Sequence, residues 1–316
     1  MRISAIIPAY NVAKYLPRAV RSLIKTGYHD LEIVIVEDGS EDGTFKITEE
    51  LCRQYHDSVV VYQHPKRANL GVSASRNLGI LKSTGALICF LDADDVVYPN
   101  RFEVSAALLE SNPDVDAVYE TVLMVFDDDS GKDTMAEWGK TFGLSRKVPP
   151  SVLLTELLRG RTWHTSGILC RRTLFDKTGL FNTKFCIAED CNLWFKMACV
   201  GKIIPGDMTR PVSGYHRHGT NTYLMSIDRK PDMVRAMADA YCWAQRKRLS
   251  GRVLNVLIKE TRSYISNSVA IALQANRMDL AWKIIKAALK DGDLIIFANL
   301  RLIQTIAWLC RKTIHN

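Results

Sequence analysis

Four short apolar runs, each followed by polar residues, constrain the fold of this chain most. They are Ile3–Ile7, Leu31–Val36, Val59–Tyr62 and Ala86–Leu91. Three segments with helical spacing of apolar residues lie between them, over 12–26, about 42–55 and 72–82. Strands that alternate with helices in this way are typical of a parallel, doubly wound sheet. We therefore expect an α/β fold with a mostly parallel sheet between helices.

Polar side chains follow three of these predicted strands. They are Asn11 after the first, Glu37 and Asp38 after the second, and Asp92 to Asp95 after the fourth. Ligands of such sheets bind outside the carboxyl ends of the strands. We therefore expect these three clusters to meet in one crevice.

The acidic run after the fourth strand predicts a cation site. Asp92, Asp94 and Asp95 place three carboxylates within four residues, and on an extended segment Asp92 and Asp94 would point to the same side. Converging carboxylates repel each other unless a positive charge lies between them. Mg²⁺ characteristically takes one or two carboxylates together with substrate phosphates. A solvated turn or a helix N-cap cluster is the alternative interpretation.

Composition and charge narrow the function classes. The 316 residues are 47% hydrophobic and 24% charged, as in ordinary globular proteins, and the net charge of +8 favours an anionic partner. Nucleic acid, a phosphate-bearing ligand and an acidic membrane surface all fit that charge. The eight cysteines form no C-x-x-C pair, so zinc is not indicated and a reducing cytoplasm is expected. The sequence shows no signal peptide and no run of 18 apolar residues, so a transmembrane helix is not expected.

The rest of the chain predicts further strands and then an all-helical end. The predicted strands cover 115–126, as one strand or two, 166–171 and 210–215. The predicted helices cover 99–112, 151–159, 191–200, 232–249, 252–275, 277–290 and 293–311. We expect two domains, 1–222 and 223–316. The second is basic, and its amphipathic stretch 277–312 is expected to pack on the first domain, form a homo-oligomer or lie on an anionic membrane surface.

Six motifs in order resemble those of the family 2 glycosyltransferases. They are Ile6–Asn11, Val36–Thr44, Asn69–Gly79, Phe90–Asp95, Glu189-Asp190 and Tyr215–His218. The resemblance covers roughly residues 1–222. It implies a GT-A fold, which is Rossmann-like, here with a helical C-terminal extension. It also implies inverting transfer of a sugar from a nucleotide-diphosphate donor, most often a UDP-sugar.

The resemblance assigns roles residue by residue. The nucleotide-sugar site would comprise Pro8, Tyr10, Asn11, Glu37, Asp38, Arg76 and Asp92. Mg²⁺ or Mn²⁺ would be held by Asp94, Asp95 and His218. Asp190 would be the general base, Glu189 would share that role or bind an acceptor hydroxyl, and Trp163 and His164 would border the acceptor. The alternative interpretations are helix capping for the acidic pair and a place in the core for Trp163. The family has Arg where this chain has His216, and the neighbouring Arg217 is the substitute for that charge.

The resemblance also implies partners and a location. We expect a nucleotide-sugar donor and a glycan or lipid-linked acceptor, in surface polysaccharide synthesis in the cytoplasm or at the inner face of the membrane. One alternative is a catalytically weak nucleotide-sugar-binding subunit of a glycan assembly complex. A nucleotidyltransferase would show a glycine-rich basic loop after the first strand, which is missing here. No nucleic-acid module is recognisable, so nucleic acid is not expected as a partner.

Overall fold

The computed structural model describes residues 1–126, 140–144, 146–217 and 227–290. These residues form two compact units. The first comprises residues within 1–151, 161–186 and 200–222, and the second comprises 152–160, 187–199 and the described residues after 222. The second unit therefore includes two segments from the middle of the chain as well as its helical end. The predicted division into domains after residue 222 stays a prediction.

The first unit is built on two sheets. Its strands are β1 Ile3–Ala9, β2 Leu31–Glu37, β3 Val59–Gln63, β4 Leu87–Phe90, β5 Val96–Val97, β6 Ala117–Tyr119, β7 Val122–Phe126, β8 Thr141–Phe142, β9 Ile168–Arg171, β10 Ile203–Pro205 and β11 Ser213–Arg217. The larger sheet has the order β10-β6-β9-β4-β1-β2-β3, and the smaller has the order β5-β11-β7-β8. In the larger sheet only β9 runs antiparallel to its neighbours. The predicted mostly parallel α/β sheet is confirmed.

Three of the four apolar runs form the neighbouring inner strands β4, β1 and β2 of the large sheet, and the fourth forms its edge strand β3. Ile3, Ile7, Ile33 and Ile35 are fully buried, as are Leu87 and Ile88 of β4. Strands covered by helices on both faces need such continuous apolar runs, because both sets of alternating side chains are buried. The polar residues that follow these runs therefore lie at the carboxyl edge of a rigid core.

The helices follow the predicted pattern with shifted ends. They are α1 Leu16–Ile24, α2 Thr44–Gln54, α3 Val72–Lys82, α4 Glu103–Ser111, α5 Pro150–Leu158, α6 Thr173–Thr178, α7 Glu189–Val200, α8 Lys230–Arg246, α9 Gly251–Gln274 and α10 Met278–Lys290. The prediction of 72–82 is confirmed as α3. Helix α1 begins four residues later than predicted, since Pro17 fits the first turn of a helix and not its interior. Strand β10 and helix α6 were not predicted.

The segment 115–126 forms two strands that belong to different sheets. Between β6 and β7 the chain leaves the large sheet: the amide of Glu120 donates to Gly167 O, and that of Thr121 donates to Asp207 O. Strand β7 then pairs with β11 in the small sheet. The sequence gives no sign of this transfer, because both strands are apolar.

The second unit contains the helical end of the chain. Helix α10 packs against α8 and α9, with Leu280, Ile284 and Ile285 fully buried. Protein therefore covers the apolar face of this helix, and the predicted peripheral membrane contact through 277–312 stays a prediction. The predicted helix 293–311 lies outside the described residues. Within the described part of the chain, no helix has the length and apolar character needed to cross a bilayer.

Candidate active site

Side chains join the loops that follow β1 and β2. The amide of Asn11 donates to Ser40 Oγ at 3.0 Å, and Asn11 Oδ1 accepts from the amide of Glu41 at 2.9 Å. The amide of Val12 donates to Thr44 Oγ1 at 2.8 Å. Asn11 has φ +51°, a left-handed conformation that asparagine tolerates better than most residues. The two loops therefore form one hydrogen-bonded structure.

Glu37, the last residue of β2, is fully buried and holds the loop that follows. Its Oε1 accepts from the amide of Ser40 at 2.5 Å, and its Oε2 accepts from Gln63 Nε2 at 2.7 Å. Burial by itself would raise the pKa of this carboxyl, but the hydrogen bonds from Ser40 and Gln63 outweigh it and lower the pKa. Glu37 is thus a charged, fully bonded structural group.

Asp38 ties the end of β2 to the loop that begins α3. Its Oδ1 accepts from the amide of Leu70 at 2.8 Å, and its Oδ2 accepts from the amide of Gly71 at 2.9 Å. The next residue, Gly39, has φ +76°, and a Cβ there would lie 2.5 Å from the carbonyl oxygen of Arg67. The three loops after β1, β2 and β3 are thus packed together. The predicted contact of Asp38 with a base stays a prediction.

Tyr10 presents an aromatic ring at this edge of the sheet. Its side chain is 48% exposed, whereas the preceding residue, Ala9, is buried and accepts a hydrogen bond from the amide of Asp38. An exposed aromatic ring beside a polar edge is suited to stack on a nucleobase. The partly exposed Pro8 lies on the same strand end. Both positions are compatible with the predicted border of a nucleoside site.

The acidic run 92–95 is a turn and not an extended segment. The amide of Asp95 donates to Asp92 O at 3.0 Å, and Arg18 of α1 donates from Nη2 to Asp94 O at 2.7 Å. The expectation that Asp92 and Asp94 point to one side of an extended segment is therefore wrong. The turn brings the carboxylates of Asp92 and Asp95 together instead. The role of Arg18 was not predicted, since nothing in the sequence links α1 to this turn.

Asp95 is fully buried, and only one of its two carboxylate oxygens accepts a hydrogen bond from the described residues. Its Oδ1 accepts from the amide of His216 at 2.8 Å, but its Oδ2 accepts no hydrogen bond from the residues that the structure describes. His164 Nδ1 lies 3.9 Å from Oδ2. Burial, and then the charges of Asp94 and Asp92, raise the pKa of Asp95 well above its usual value. A buried carboxylate oxygen without a hydrogen bond from the described residues carries a desolvation cost, which a bound cation would offset.

Asp92 is paired with the buried Arg76. Arg76 Nη2 lies 2.7 Å from Asp92 Oδ1, and the Asp92 side chain is about one-third exposed. Burial opposes the charged form, but the charges of Arg76 and His164 and the hydrogen bond from Arg76 lower the pKa of Asp92. Two residues predicted to share the donor site are thus in contact with each other.

His164 completes a cluster with Asp92 and Asp95. One nitrogen of His164 and one oxygen of each aspartate all lie within 4.8 Å of one another. Nδ1 of the histidine lies 2.8 Å from Ser166 Oγ, which lies 2.7 Å from Ser213 Oγ. His164 was predicted to border the acceptor, and its place beside the acids was missed. Strands β9 and β11, which bring it there, are distant from the acidic turn in the sequence.

This cluster fits a divalent cation. Two carboxylates and an imidazole are donors that Mn²⁺ accepts, and Mg²⁺ accepts the carboxylates with water and phosphate. The orphaned Oδ2 of buried Asp95 is the atom that a cation would satisfy. Asp94 lies partly exposed on the same turn. His218, predicted as a metal ligand, lies outside the described residues.

Trp163 belongs to the core. Its ring is 1% exposed and stacks on Tyr119, with ring centroids 5.4 Å apart. The predicted role of this ring in packing on an acceptor sugar is therefore wrong for the described structure, because Tyr119 and the surrounding core cover it.

Glu189 and Asp190 belong to the second unit, where they open helix α7. Both are partly exposed, and Asp190 Oδ1 accepts from the amide of Cys191 at 2.6 Å. The preceding Ala188 has φ +62°, which is strained for alanine. Acids in the first turn suit the helix dipole. Their predicted part in the chemistry stays a prediction.

Comparison with known sequences points to glycosyltransferases. A family model described as Glycosyl transferase family 2 matches residues 4–173, more than half of the chain. An uncharacterised glycosyltransferase of Nostoc sp. is 31% identical over 71% of this chain and 67% of its own length. Another, from Rickettsia prowazekii, is 27% identical over 87% of this chain and 80% of its own length. The chain spans only 32% and 34% of two relatives from Rickettsia felis and Rickettsia conorii.

Solved glycosyltransferase structures share the fold. Residues 1–349 of Staphylococcus aureus TarS match with a TM-score of 0.66 and 20% identity, over 97% of this chain and 87% of that one. The mannosyltransferase PcManGT of Pyrobaculum calidifontis, solved with GDP-Man and Mn²⁺, matches with a TM-score of 0.55 and 18% identity, over all of this chain and 86% of that one. With a GT-A sheet, an acidic turn at its carboxyl edge and a family match over residues 4–173, the chain belongs to the family 2 glycosyltransferases.

Proposed function

We propose that this protein transfers a sugar from a UDP-sugar to a glycan or lipid-linked acceptor hydroxyl, with inversion and with the help of a divalent cation. The observation that carries this proposal is the cluster of Asp92, Asp95 and His164 at the carboxyl edge of the sheet. It includes a buried carboxylate oxygen that accepts no hydrogen bond from the described residues, which suits a bound cation. In such an enzyme the cation neutralises the diphosphate leaving group.

The nucleotide is bound by the joined loops after β1, β2 and β3. Tyr10 supplies an exposed ring for the base, while Asn11, Glu37 and Asp38 fix the loops that surround it. TarS has been solved with UDP and with UDP-GlcNAc, which supports UDP as the nucleotide. PcManGT has been solved with GDP-Man, so GDP is the first competitor to test.

Asp94 and Asp95 would hold Mg²⁺ or Mn²⁺, and Asp92 and His164 form one cluster with Asp95. When bound, the cation acts as a Lewis acid on the departing diphosphate. Arg76 now neutralises Asp92 across 2.7 Å. With donor bound, its guanidinium would move from that carboxylate to a phosphate oxygen.

The acceptor hydroxyl is deprotonated by Asp190 as it attacks the anomeric carbon. A positioned carboxylate contributes about 10²–10⁴-fold in such a step. Glu189, its neighbour in the first turn of α7, binds an acceptor hydroxyl or shares the base role. A single displacement by the hydroxyl inverts the anomeric configuration and needs no enzyme nucleophile. We place the reaction in cell-surface glycan synthesis on the cytoplasmic side of the membrane.

Calorimetric titration of UDP, GDP and dTDP, with and without Mn²⁺, tests the donor site. We expect one nucleotide to bind tightly only with Mn²⁺, and Asp94→Ala to lose that metal-dependent binding. Asp176→Ala is the matched control, because Asp176 is an exposed aspartate on α6. Failure of folded wild-type protein to bind any of the three nucleotides would contradict the proposal.

Turnover of the donor separates an enzyme from a binding subunit. Release of the nucleotide from its sugar conjugate is followed in wild type and in Asp190→Asn. Turnover that falls by about 100-fold or more in the variant supports the base role. Nucleotide binding without turnover in wild type, across acceptor extracts, would favour the catalytically weak binding subunit.

A further inference from the structure

Helix α7 is anchored by two buried polar side chains. Asn192 and Lys196 are one helical turn apart, so they lie on the same face of the helix, and they are only 1% and 6% exposed. A lysine is almost never buried to this extent unless its charge is paired. The partner of these two residues therefore helps to fix the helix within its unit, together with its buried apolar side chains.

That partner is Asp239 of α8. Its Oδ2 accepts from Lys196 Nζ at 2.6 Å and from Asn192 Nδ2 at 2.9 Å. Asn192 Nδ2 also donates to Ala236 O at 2.8 Å, so the contact covers a full turn of α8. Burial opposes the charged form of Asp239, but the hydrogen bond and charge of Lys196 lower its pKa. The contact is thus a buried, charged hydrogen-bond network.

The anchored residues are close in sequence to the acidic pair. Asp190 precedes Asn192 by two residues, and the amide of Asn192 closes the first turn by donating to Ala188 O at 3.0 Å. Ala188, at φ +62°, is held in a strained conformation. Such strain persists only where the surrounding contacts enforce it. The hydrogen bonds of Asn192 are among the contacts that can hold Ala188 in this conformation.

We propose that Asp239 is a positioning residue for the carboxylate pair Glu189–Asp190. It fixes α7 through Asn192 and Lys196 and so sets the place of the general base without touching the substrate. This inference rests on the proposed function of Asp190. It also gives the helical end of the chain, which lies beyond the family match to residue 173, a part in catalysis.

The same unit contains a matched control. Arg159, next to the end of α5, donates from Nε and Nη2 to the two oxygens of Glu260 on α9, at 2.9 and 3.0 Å. Like Asp239, Glu260 is a carboxylate that accepts two charged or polar hydrogen bonds, and it is 5% exposed. It does not bond to α7 in the described structure. Glu260→Gln therefore repeats the chemical change of Asp239→Asn at a site away from the acidic pair.

The experiment compares three variants with wild type. They are Asp239→Asn, Glu260→Gln and the double variant Lys196→Met with Asp239→Leu, which replaces the ion pair with apolar groups of similar size and so protects the fold. For each we measure the melting temperature, the affinity for UDP with Mn²⁺, and kcat and KM for donor turnover. Hydrogen exchange of the amides within 187–199 reports directly on the position of α7.

We expect Asp239→Asn and the double variant to lower kcat by about 10-fold or more, since small misplacements of a catalytic group have effects of this size. UDP affinity and donor KM should stay within about twofold of wild type, because the residues proposed to bind the donor do not include the general base Asp190. Amides at the start of α7 should exchange faster in both. Glu260→Gln should lower the melting temperature but leave kcat and the exchange of α7 unchanged.

Two results would overturn the inference alone. One is wild-type kcat in Asp239→Asn while Asp190→Asn is inactive. The other is an equal fall in kcat in Glu260→Gln, which would mean general loss of stability. Full turnover in Asp190→Asn would instead refute the proposed base, and the catalytic role of Asp239 with it.

Discussion

Two groups of buried carboxylates lie at the carboxyl edge of the same sheet, and they are satisfied in opposite ways. Every carboxylate oxygen of Glu37 and Asp38 accepts a hydrogen bond, from a neighbouring loop or from Gln63 at the end of β3. Asp95 has one oxygen on the amide of His216 and one without a hydrogen bond from the described residues. Accordingly, the pKa of Glu37 is lowered and that of Asp95 is raised.

The difference shows what each group contributes. Burial disfavours the charged form of all these carboxyls. The hydrogen bonds of Glu37 and Asp38 offset that cost and hold the loops, whereas the incompletely bonded Asp95 lowers stability unless a cation is bound. A stability cost kept at a binding site is common in enzymes. Glu37 and Asp38 therefore stabilise the loops of the site, whereas Asp95 is available to bind a cation.

We expect the largest effect from a substitution in the hydrogen-bonded pair Glu37 and Asp38. Asp38→Ala should lower the free energy of unfolding by about 3 kcal/mol, because it leaves the amides of Leu70 and Gly71 without an acceptor. Urea denaturation measures the change. Asp57→Ala, at a position whose side chain is 88% exposed, is the control and should change stability by less than about 0.5 kcal/mol. A loss as small as that control in Asp38→Ala would remove the structural role given to this residue.

Asp95→Asn should produce the reverse pattern. Mn²⁺ affinity in the presence of UDP should fall by about 100-fold, since even indirect changes around a metal cost 10–100-fold. Without metal, the variant should be at least as stable as wild type, because a neutral amide replaces a poorly satisfied carboxyl. Calorimetry and thermal melts measure the two effects. Unchanged Mn²⁺ affinity would show that the cation does not use Asp95.

The stability of Glu37→Gln relative to wild type should depend on pH. The pKa of Glu37 is lowered by folding, so its charged form stabilises the protein above the unfolded-state value of about 4.3. At neutral pH the variant should be less stable by about 1.5 kcal/mol, as expected for one lost hydrogen bond to a charged group. The difference should disappear as pH falls through the lowered pKa of the folded state. Denaturation curves taken from neutral to acidic pH measure it, and a difference independent of pH would contradict the assignment.

Tyr10→Ala should give the smallest effect. Loss of one stacking ring should weaken UDP binding by about 1 kcal/mol, or roughly fivefold. Stability should hardly change, because the ring is 48% exposed. Leu81→Ala, at a 69% exposed position on α3, is the control for both measurements. Equal UDP affinity in Tyr10→Ala and wild type would place the base elsewhere.

Local patterns were sufficient to predict the frame of this site. Continuous apolar runs give β1 to β4, and helical spacing gives α3 with its observed bounds, because these elements depend on periodicity and burial. The motif order placed Asn11, Asp38 and Asp95 at one edge of the sheet. None of this required knowledge of distant contacts.

The details of the site depend on tertiary contacts that periodicity does not contain. His164 reaches the acids only because β9 enters the large sheet antiparallel, and Arg18 reaches the turn from a helix whose pattern indicates only packing. The turn at Asp92 was read as extended because its preceding strand is so regular. The sequence does not decide the place of Trp163, because an aromatic residue looks the same in sequence whether it faces the core or a ligand.

The hydrogen bonds among the loops after β1, β2 and β3 have a consequence for engineering. Asn11 and Asp38 tie these loops to one another through specific backbone atoms, Glu37 holds the loop after β2, and Gly39 allows the close approach to Arg67. A loop grafted from a relative with a different donor would lose its partners in the other two. Exchange of donor preference between such enzymes should therefore succeed when all three loops are transplanted as a single cassette, and fail when they are exchanged one at a time.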